Sequence, residues 1–86
     1  MINHDRIMSY AETHGATIPT RGSQCEALLT AMFEGDKFTV GEALSRLGIY
    51  ALSQRAGDLK FTGWPVKSDW VTVPSGKRVK MYWLEA

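Results

Sequence analysis

The sequence predicts a small, mainly α-helical domain that ends in a β-hairpin: an α+β fold with three helices and a two- to three-stranded sheet. Three observations predict it. Two helix-capping motifs stand upstream of glycines, apolar residues recur at helical spacing after each motif, and two runs rich in Val, Trp, Tyr and Thr flank a short turn sequence. At 86 residues, the chain has room for one hydrophobic core.

The chain is predicted to divide into an N-terminal arm, residues 1–22, and a compact domain, residues 23–86. The stretch GATIPTRGS, rich in Gly, Pro and Thr, separates them as a loop. Before this loop, Ile7, Met8 and Ala11 fall on one side of a possible short helix of one or two turns. Because so short a helix is unstable alone in water, we expect it to need a surface on which to dock.

The first helix of the compact domain is predicted to begin with a capping box at Ser23. Glu26 follows three residues later, so the serine hydroxyl and the carboxylate can each accept a free backbone N–H. The apolar stripe that follows at helical spacing is Leu28, Leu29, Met32 and Phe33. Gly35 is expected to end this helix after about ten residues, since glycine readily takes the left-handed conformation of a helix C-terminus.

The second helix is predicted to begin with another capping box, formed by Thr39 and Glu42, and to end at Gly48. The residues expected to face inward are Val40, Ala43, Leu44 and Leu47. The link before this helix is short and extended, and at Phe38 it is expected to add a third short strand to the sheet.

The third helix is predicted to run from Ala51 to about Thr62. Its expected buried face, at spacings of four and three residues, is Leu52, Ala56 and Leu59. Gly63 closes this helix, and Trp64-Pro65 prevents its continuation, because proline lacks an amide hydrogen and favours extended geometry in the residue before it.

Two strand-like runs follow, at 66–73 and 77–84. The sequence VPSGK between them suits a tight turn and predicts a β-hairpin. One register places Asp69 opposite Lys80, whereas a slip of one residue places Val71 opposite Val79. We expect the first register, because it makes one sheet face continuously apolar.

The second and third helices are joined by the turn LGIY, which is the arrangement of a helix-turn-helix unit over residues 39–62. With the hairpin appended, residues 23–84 resemble a winged helix-turn-helix domain. More narrowly, the motifs LGI, S-x-R-x-x-x-L, GWP and a Gly-tipped basic hairpin resemble the small winged helix-turn-helix proteins of bacteriophages and prophages. The sequence departs from that pattern at Ala56 and Gly57, where a bulkier apolar residue and a better helix former are expected.

The resemblance implies a sequence-preferring protein that binds double-stranded DNA, either a phage or prophage regulator of transcription or an accessory factor. The third helix would enter the major groove and the hairpin residues 74–80 would touch the backbone. In the groove, Gln can pair with adenine and Arg with guanine, while Tyr50 and Ser53 can hold phosphate near the helix N-terminus. The predicted DNA-binding residues are Tyr50, Ser53, Gln54, Arg55, Gly57, Lys60, Lys77, Arg78 and Lys80.

Each of these patterns also has a purely structural interpretation. Polar residues opposite an apolar stripe commonly form a solvated surface. Arg55 can pair with Asp58 or Glu42, and the hairpin cations can protect an edge strand from pairing with another chain. Asp58 would also repel phosphate.

Charge leaves two further hypotheses open. Residues 1–50 hold four basic against six acidic residues and residues 51–86 hold six against three, an asymmetry that hints at a polyanionic partner. The net charge of +1, however, is low for a DNA-binding module. The same fold can therefore be a protein–protein interaction module, or it can position DNA for phage packaging or replication.

The sequence favours neither an enzyme nor a cofactor-dependent protein, and it suggests no small-molecule substrate. The residues of metal-ligand or nucleophile type, His4, His14 and Cys25, have no recognised spacing. A position in the first helical turn can lower the pKa of Cys25, but a buried thiol is much commoner than a catalytic one. The aromatic residues Trp64, Trp70, Tyr82 and Trp83 either stack on single-stranded bases or fill the core.

Location and assembly are predicted from two simple features. The chain has no apolar stretch of membrane-spanning length, and its single cysteine cannot form an internal disulfide, so we expect a reducing cytoplasm and no membrane partner. The resemblance to phage and prophage proteins implies that this is the cytoplasm of a bacterial host. A single DNA-binding module buries only about 600–1,000 Å² of protein surface. Tight binding would therefore favour a homodimer, for which the arm is the candidate interface.

Overall fold

The computed structural model describes residues 2–85, and within them the chain forms four helices and a two-stranded antiparallel hairpin. In chain order the elements are α1 (Ile2–His14), α2 (Gln24–Phe33), α3 (Val40–Leu47), α4 (Leu52–Phe61), β1 (Val66–Thr72) and β2 (Arg78–Leu84). The α+β class and the order of helices and hairpin agree with the prediction, but the expected count of three helices was wrong by one.

The additional helix is α1, which is 13 residues long and therefore longer than the expected one or two turns. It is ordered by docking: Ile7 and Ala11 are buried, and the Tyr10 ring stacks on Trp64 with centroids 5.3 Å apart. Met8, expected on the buried side, is 43% exposed. Trp64 is distant from α1 in the chain, so no local pattern could reveal this surface.

The two predicted capping motifs both form side-chain caps, at the starts of α2 and α3. The Thr39 hydroxyl accepts the Glu42 N–H at 3.4 Å and the Glu42 carboxylate accepts the Thr39 N–H at 3.0 Å, which confirms the reciprocal capping box of α3. At α2 the Ser23 hydroxyl accepts the Glu26 N–H at 3.1 Å, but the carboxylate instead accepts the N–H of Gly22 at 2.7 Å. Each cap satisfies backbone donors that the first helical turn leaves free.

The buried side of α3 is narrower than predicted. Ala43 is fully buried and Leu47 partly buried, but Val40 and Leu44 are 48% and 43% exposed, so their predicted inward orientation was wrong. The reason is tertiary: Ile49, in the turn after α3, is fully buried and fills the space against the core.

The helix α4 is held by the three residues expected to be buried, Leu52, Ala56 and Leu59, each at most 2% exposed. Gly63 ends the segment with φ of 105°. A Cβ atom at Gly63 would lie 3.1 Å from the Cα of Ala16, so the site demands glycine both for its conformation and for its close approach.

The hairpin has the register that we did not expect. Val71 pairs with Val79 and Asp69 pairs with Met81, so the register that places Asp69 opposite Lys80 was wrong. One sheet face is consequently not continuously apolar.

The turn determines this register. The Val73 N–H donates to the Lys77 carbonyl at 2.9 Å and the Gly76 N–H donates to the Val73 carbonyl at 2.8 Å. These bonds close a three-residue loop in which Gly76 has φ of 88°. A loop of this length fixes every pair along both strands, and the apolar pattern cannot override it.

The link at Phe38 joins the free edge of β2, as predicted, but as an isolated bridge. Phe38 and Tyr82 exchange backbone hydrogen bonds of 2.9 and 2.8 Å. Both side chains are buried, and the bridge ties the base of the hairpin to the helical core.

Candidate nucleic-acid interface

The helix α4 presents one flank to the hairpin. This hairpin flank consists of Ser53, Gly57 and Lys60, all exposed. The three residues line a shallow groove together with Ser68 and Tyr82 of the sheet. The arrangement follows from the helical period: Leu52, Ala56 and Leu59 direct one side of α4 into the core, which leaves polar positions on both sides of that stripe.

The hairpin contributes the sheet face that meets this groove. Because side chains alternate between faces and the register is fixed, one face carries alternate residues of each strand. This wing face consists of Val66, Ser68, Trp70, Thr72, Arg78, Lys80, Tyr82 and Leu84. Val66 and Tyr82 are buried at its base, and the residues nearer the turn extend beyond the core. None of the eight residues is acidic, so the net charge of the wing face is positive.

Trp70 is the centre of the exposed part of the wing face. Its side chain is 53% exposed. The Arg78 guanidinium carbon and the Lys80 ammonium nitrogen each lie 5.6 Å from the centre of the indole ring. Cations at this distance are attracted to the electron-rich ring. The wing face therefore holds two positive charges beside a large apolar surface.

The side of α4 that faces away from the core carries Gln54 between two aromatic residues. Tyr50 precedes the helix and is 79% exposed, and Phe61 ends it and is 91% exposed. Gln54 is also exposed and makes no side-chain hydrogen bond within residues 2–85. Its amide is therefore free to pair with a ligand.

The opposite flank of α4 is engaged in internal contacts. This packed flank consists of Arg55, Asp58 and Thr62. Arg55 and Asp58 form an ion pair at 3.3 Å, and the Arg55 side chain is only 29% exposed. The alternative pairing of Arg55 with Asp58 is the one observed. The guanidinium must leave this pair before it can reach a DNA base.

Cys25 lies behind the packed flank, and its thiol donates to the Arg55 carbonyl at 3.9 Å. Burial raises the pKa of the Cys25 thiol, the Asp58 carboxylate raises it further, and the Arg55 guanidinium opposes both effects. Of the two interpretations of Cys25, the raised pKa favours the buried thiol, because desolvation is its largest cause. Because the thiolate is the reactive form, a thiol with a raised pKa is unreactive at neutral pH.

The structure brings some of the predicted binding residues together and separates others. Ser53, Gly57 and Lys60 share the groove, and Arg78 and Lys80 extend the same surface along the wing face. The remaining four lie elsewhere: Tyr50 before α4, Gln54 on its outward side, Arg55 on the packed flank and Lys77 in the hairpin turn. Their roles toward DNA remain predictions.

Ser68 and Trp70 were not among the residues predicted to bind duplex DNA, although Trp70 was considered for stacking on single-stranded bases. Knowledge of the hairpin register would have identified both residues, since the register places them on the same sheet face as Lys80 and Tyr82. Of the other aromatic residues proposed for base stacking, Trp64 and Tyr82 belong to the core.

Further observations concern metal binding and membrane insertion. Within the described part of the chain, no three His, Cys, Asp or Glu residues are placed to hold a metal ion. His14 stacks on Tyr10 at 4.1 Å, while the side chain of His4 lies outside the described residues. Among helices of residues 2–85, none combines the length and apolar character needed to cross a membrane.

The family model described as "Winged helix-turn-helix domain" matches residues 23–86, which is 64 of the 86 residues. The match spans α2 to the end of the hairpin and includes both the hairpin flank and the wing face, whereas α1 precedes it. Comparison with curated proteins and with solved structures gives no significant match.

Proposed function

The chain belongs to the winged helix-turn-helix domain family, and on that premise we propose that it binds double-stranded DNA with a preference for sequence. Helix α4 lies in the major groove and the hairpin lies along the sugar–phosphate backbone. One observation supports this proposal above the others: the polar hairpin flank of α4 continues into a cationic wing face without an intervening carboxylate.

The shape of the surface suits a duplex. An α-helix with its side chains is about 10–12 Å wide, which fits the B-DNA major groove of about 12 Å. At Gly57 no atom outside its chain neighbours and the backbone of its own helix lies within 4 Å of the position that a Cβ would occupy, so this part of α4 is open to a groove wall. The backbone of α4 can therefore approach DNA closely.

The positive charges supply the part of the affinity that does not depend on the DNA sequence. Lys60, Lys77, Arg78 and Lys80 are all exposed. If about five phosphate contacts form, log K should fall with log salt with a slope of about −4 to −5. Sequence preference rests on Gln54, whose free amide can form a bidentate pair with adenine.

The first experiment is a salt titration of binding to a random labelled duplex, followed by selection of preferred sites. The double variant Lys77→Ala/Arg78→Ala should bind all sequences more weakly and with a flatter salt slope. Lys67→Ala is the matched control, because Lys67 is exposed on the opposite sheet face. Equal losses in the control and the double variant would contradict the proposed orientation.

The second experiment separates preference for a DNA sequence from overall affinity for DNA. Gln54→Ala and Arg55→Ala proteins should fold normally and lose discrimination at one base pair each, worth about 1–3 kcal/mol. Because Arg55 is paired with Asp58, its variant also tests whether that ion pair opens on DNA. Unchanged preference in both variants would remove this part of α4 from base recognition.

A protein–protein interaction module is the second candidate function. It is favoured by the net charge of +1 and by Phe61, an aromatic side chain 91% exposed at the end of α4. This function predicts no salt-sensitive retention on duplex DNA and recovery of a protein partner by pull-down, with loss of that partner in Phe61→Ser.

We further propose that the protein acts on phage or prophage DNA. The motifs in residues 47–76 support a phage or prophage regulator, or a factor for packaging or replication. The neighbouring genes distinguish these roles. Self-association through the N-terminal arm is tested by sedimentation at micromolar concentration, where a monomer with and without DNA would contradict it.

A further inference from the structure

Trp70 differs from the other tryptophans in its surroundings. Trp64 is 2% exposed in the core, and Trp83 is partly buried on the opposite sheet face, where the Lys37 ammonium lies 4.9 Å from its ring. Trp70 is 53% exposed and belongs to neither region. A single exposed apolar side chain is ordinary on a protein surface. What distinguishes Trp70 is its position on the wing face and the two cations beside its ring.

The position of Trp70 connects it to α4. Ser68 lies two residues earlier on the same strand and faces the groove shared with Ser53 and Lys60. Trp70 is the next residue on the same face, directly opposite Lys80. A duplex seated on the hairpin flank would therefore extend over Trp70 before reaching the hairpin turn.

Arg78 and Lys80 define what Trp70 can bind. Each cation lies 5.6 Å from the ring centre, so the apolar surface and two positive charges form one compact unit. The backbone of DNA alternates apolar deoxyribose with anionic phosphate, which matches this unit. An unpaired base is the alternative occupant of the ring face, and comparison with a single strand distinguishes it from the duplex backbone.

We propose that Trp70 contacts the backbone of duplex DNA directly, with the indole against a deoxyribose and Arg78 and Lys80 on the flanking phosphates. The proposal rests on the proposed function and sharpens it. The wing contact then lies on the sheet face at Trp70, and the turn residue Lys77 is peripheral. The indole supplies a part of the affinity that does not depend on salt, because it involves no counterion release.

The test compares Trp70→Ala with Trp83→Ala, which removes the same side chain from the opposite sheet face. Dissociation constants for a random duplex are measured at several salt concentrations, beside a single strand of the same length. Trp70→Ala should weaken duplex binding about tenfold at every salt concentration with an unchanged slope. Trp83→Ala should stay within about twofold of the parent, and Trp70→Phe should recover most of the loss.

Thermal unfolding by circular dichroism establishes that each variant is folded at the assay temperature. If Trp83→Ala is unfolded, Trp83→Phe takes its place as the control. Shielding of Trp70 by DNA is measured independently as reduced acrylamide quenching, which should disappear in the Trp70→Phe protein. Undiminished quenching of the parent in its duplex complex would overturn the contact.

The outcomes separate this proposal from the one on which it rests. Absence of duplex binding by the parent protein overturns the proposed function itself. Normal parent binding with equal affinities for the Trp70→Ala and Trp83→Ala variants overturns only the Trp70 contact. A slope that flattens by one unit or more in Trp70→Ala would show that the ring merely positions the cations, and tighter binding to the single strand would overturn the duplex assignment.

Discussion

The two flanks of α4 have similar polar compositions and different surroundings. On the packed flank, Arg55 and Asp58 neutralise each other at 3.3 Å, and Asp58 and Thr62 border the segment that holds Thr17 and Cys25. On the hairpin flank, Lys60 has no ion-pair partner among residues 2–85. The helix therefore uses one set of polar residues to complete the domain and leaves the other set available.

This difference shows why polar residues on a recognition helix cannot be treated as one class. A charge that is paired within the monomer must leave its partner before it binds a ligand, and for a pair as exposed as Arg55 and Asp58 that step costs about 0–1 kcal/mol. An unpaired, solvated cation is ready to bind a phosphate. The following predictions test this distinction in order of decreasing size.

The largest effect on stability is expected at Trp64, which lies in the hydrophobic core. Its indole N–H donates to the Thr17 carbonyl at 2.9 Å, and its ring contacts Tyr10 and Phe33. Trp64→Ala should lower the free energy of unfolding by about 3–5 kcal/mol, because it removes buried apolar surface and leaves a cavity. Urea denaturation measures this loss. Trp70→Ala should change stability by less than about 0.5 kcal/mol, and comparable losses in both variants would contradict the assignment of Trp70 to a binding surface.

The next effect concerns the charge on the hairpin flank. Lys60→Gln should weaken duplex binding about three- to tenfold at moderate salt and reduce the salt slope by about one, since one phosphate contact is lost. Its counterpart on the packed flank is Asp58→Asn, which should not weaken binding. Fluorescence anisotropy across a salt series measures both. A slope reduced by Asp58→Asn and unchanged by Lys60→Gln would reverse the roles of the two flanks.

Gly57 offers a smaller effect that acts in opposite directions on stability and binding. Gly57→Ala should raise the free energy of unfolding by about 0.5–1 kcal/mol, because alanine loses less conformational entropy in a helix and meets no atom within 4 Å. The same methyl group should weaken DNA binding if the backbone of α4 lies against the groove wall. In the control, Gly48→Ala should destabilise by about 1–2 kcal/mol, since Gly48 has φ of 70°. Unaltered DNA affinity in Gly57→Ala would place α4 farther from the groove.

The smallest effect is the pH dependence at Cys25. Because the folded state raises the pKa of this thiol above its ordinary value of 9.0, the folded protein keeps a proton that the unfolded chain loses. The stabilisation is thus fully present below pH 9.0 and is lost as the pH rises through the folded pKa. The difference in unfolding free energy between the parent and Cys25→Ala, measured by urea denaturation from pH 7 to 10.5, should decrease at the alkaline end. An increase there would mean that Arg55 outweighs burial.

Local chemistry made a large part of the fold predictable. The Thr39 and Glu42 capping box, the left-handed Gly48 and the buried stripe of α4 all follow from residues within one or two helical turns of one another. The interactions responsible are short-range backbone hydrogen bonds and periodic apolar contacts. The hairpin was predictable for the same reason, because its turn sequence lies between two strand-forming runs.

The candidate site was predictable only in part. Ser53, Gly57 and Lys60 follow from their spacing relative to the α4 stripe, and the structure brings them into one groove. Arg55 also lies beside the α4 stripe, but on the other flank, where it pairs with Asp58; the sequence left Asp58 and Glu42 as alternative partners. Trp70 was not predicted to contact a duplex because the expected register places Val79 opposite it, whereas the observed register places Lys80 there.

By itself, the sequence determined that α2, α3, α4 and the hairpin form, where α2 and α3 begin, and which side of α4 is buried. Tertiary structure decided the docking of α1 on Trp64, the exposure of Val40 and Leu44, and the alignment of Trp70 with the hairpin flank. The physical reason is the range of the interactions. Caps, glycines and apolar periods act between near neighbours, whereas burial and surface alignment depend on contacts between residues that only the folded chain brings together.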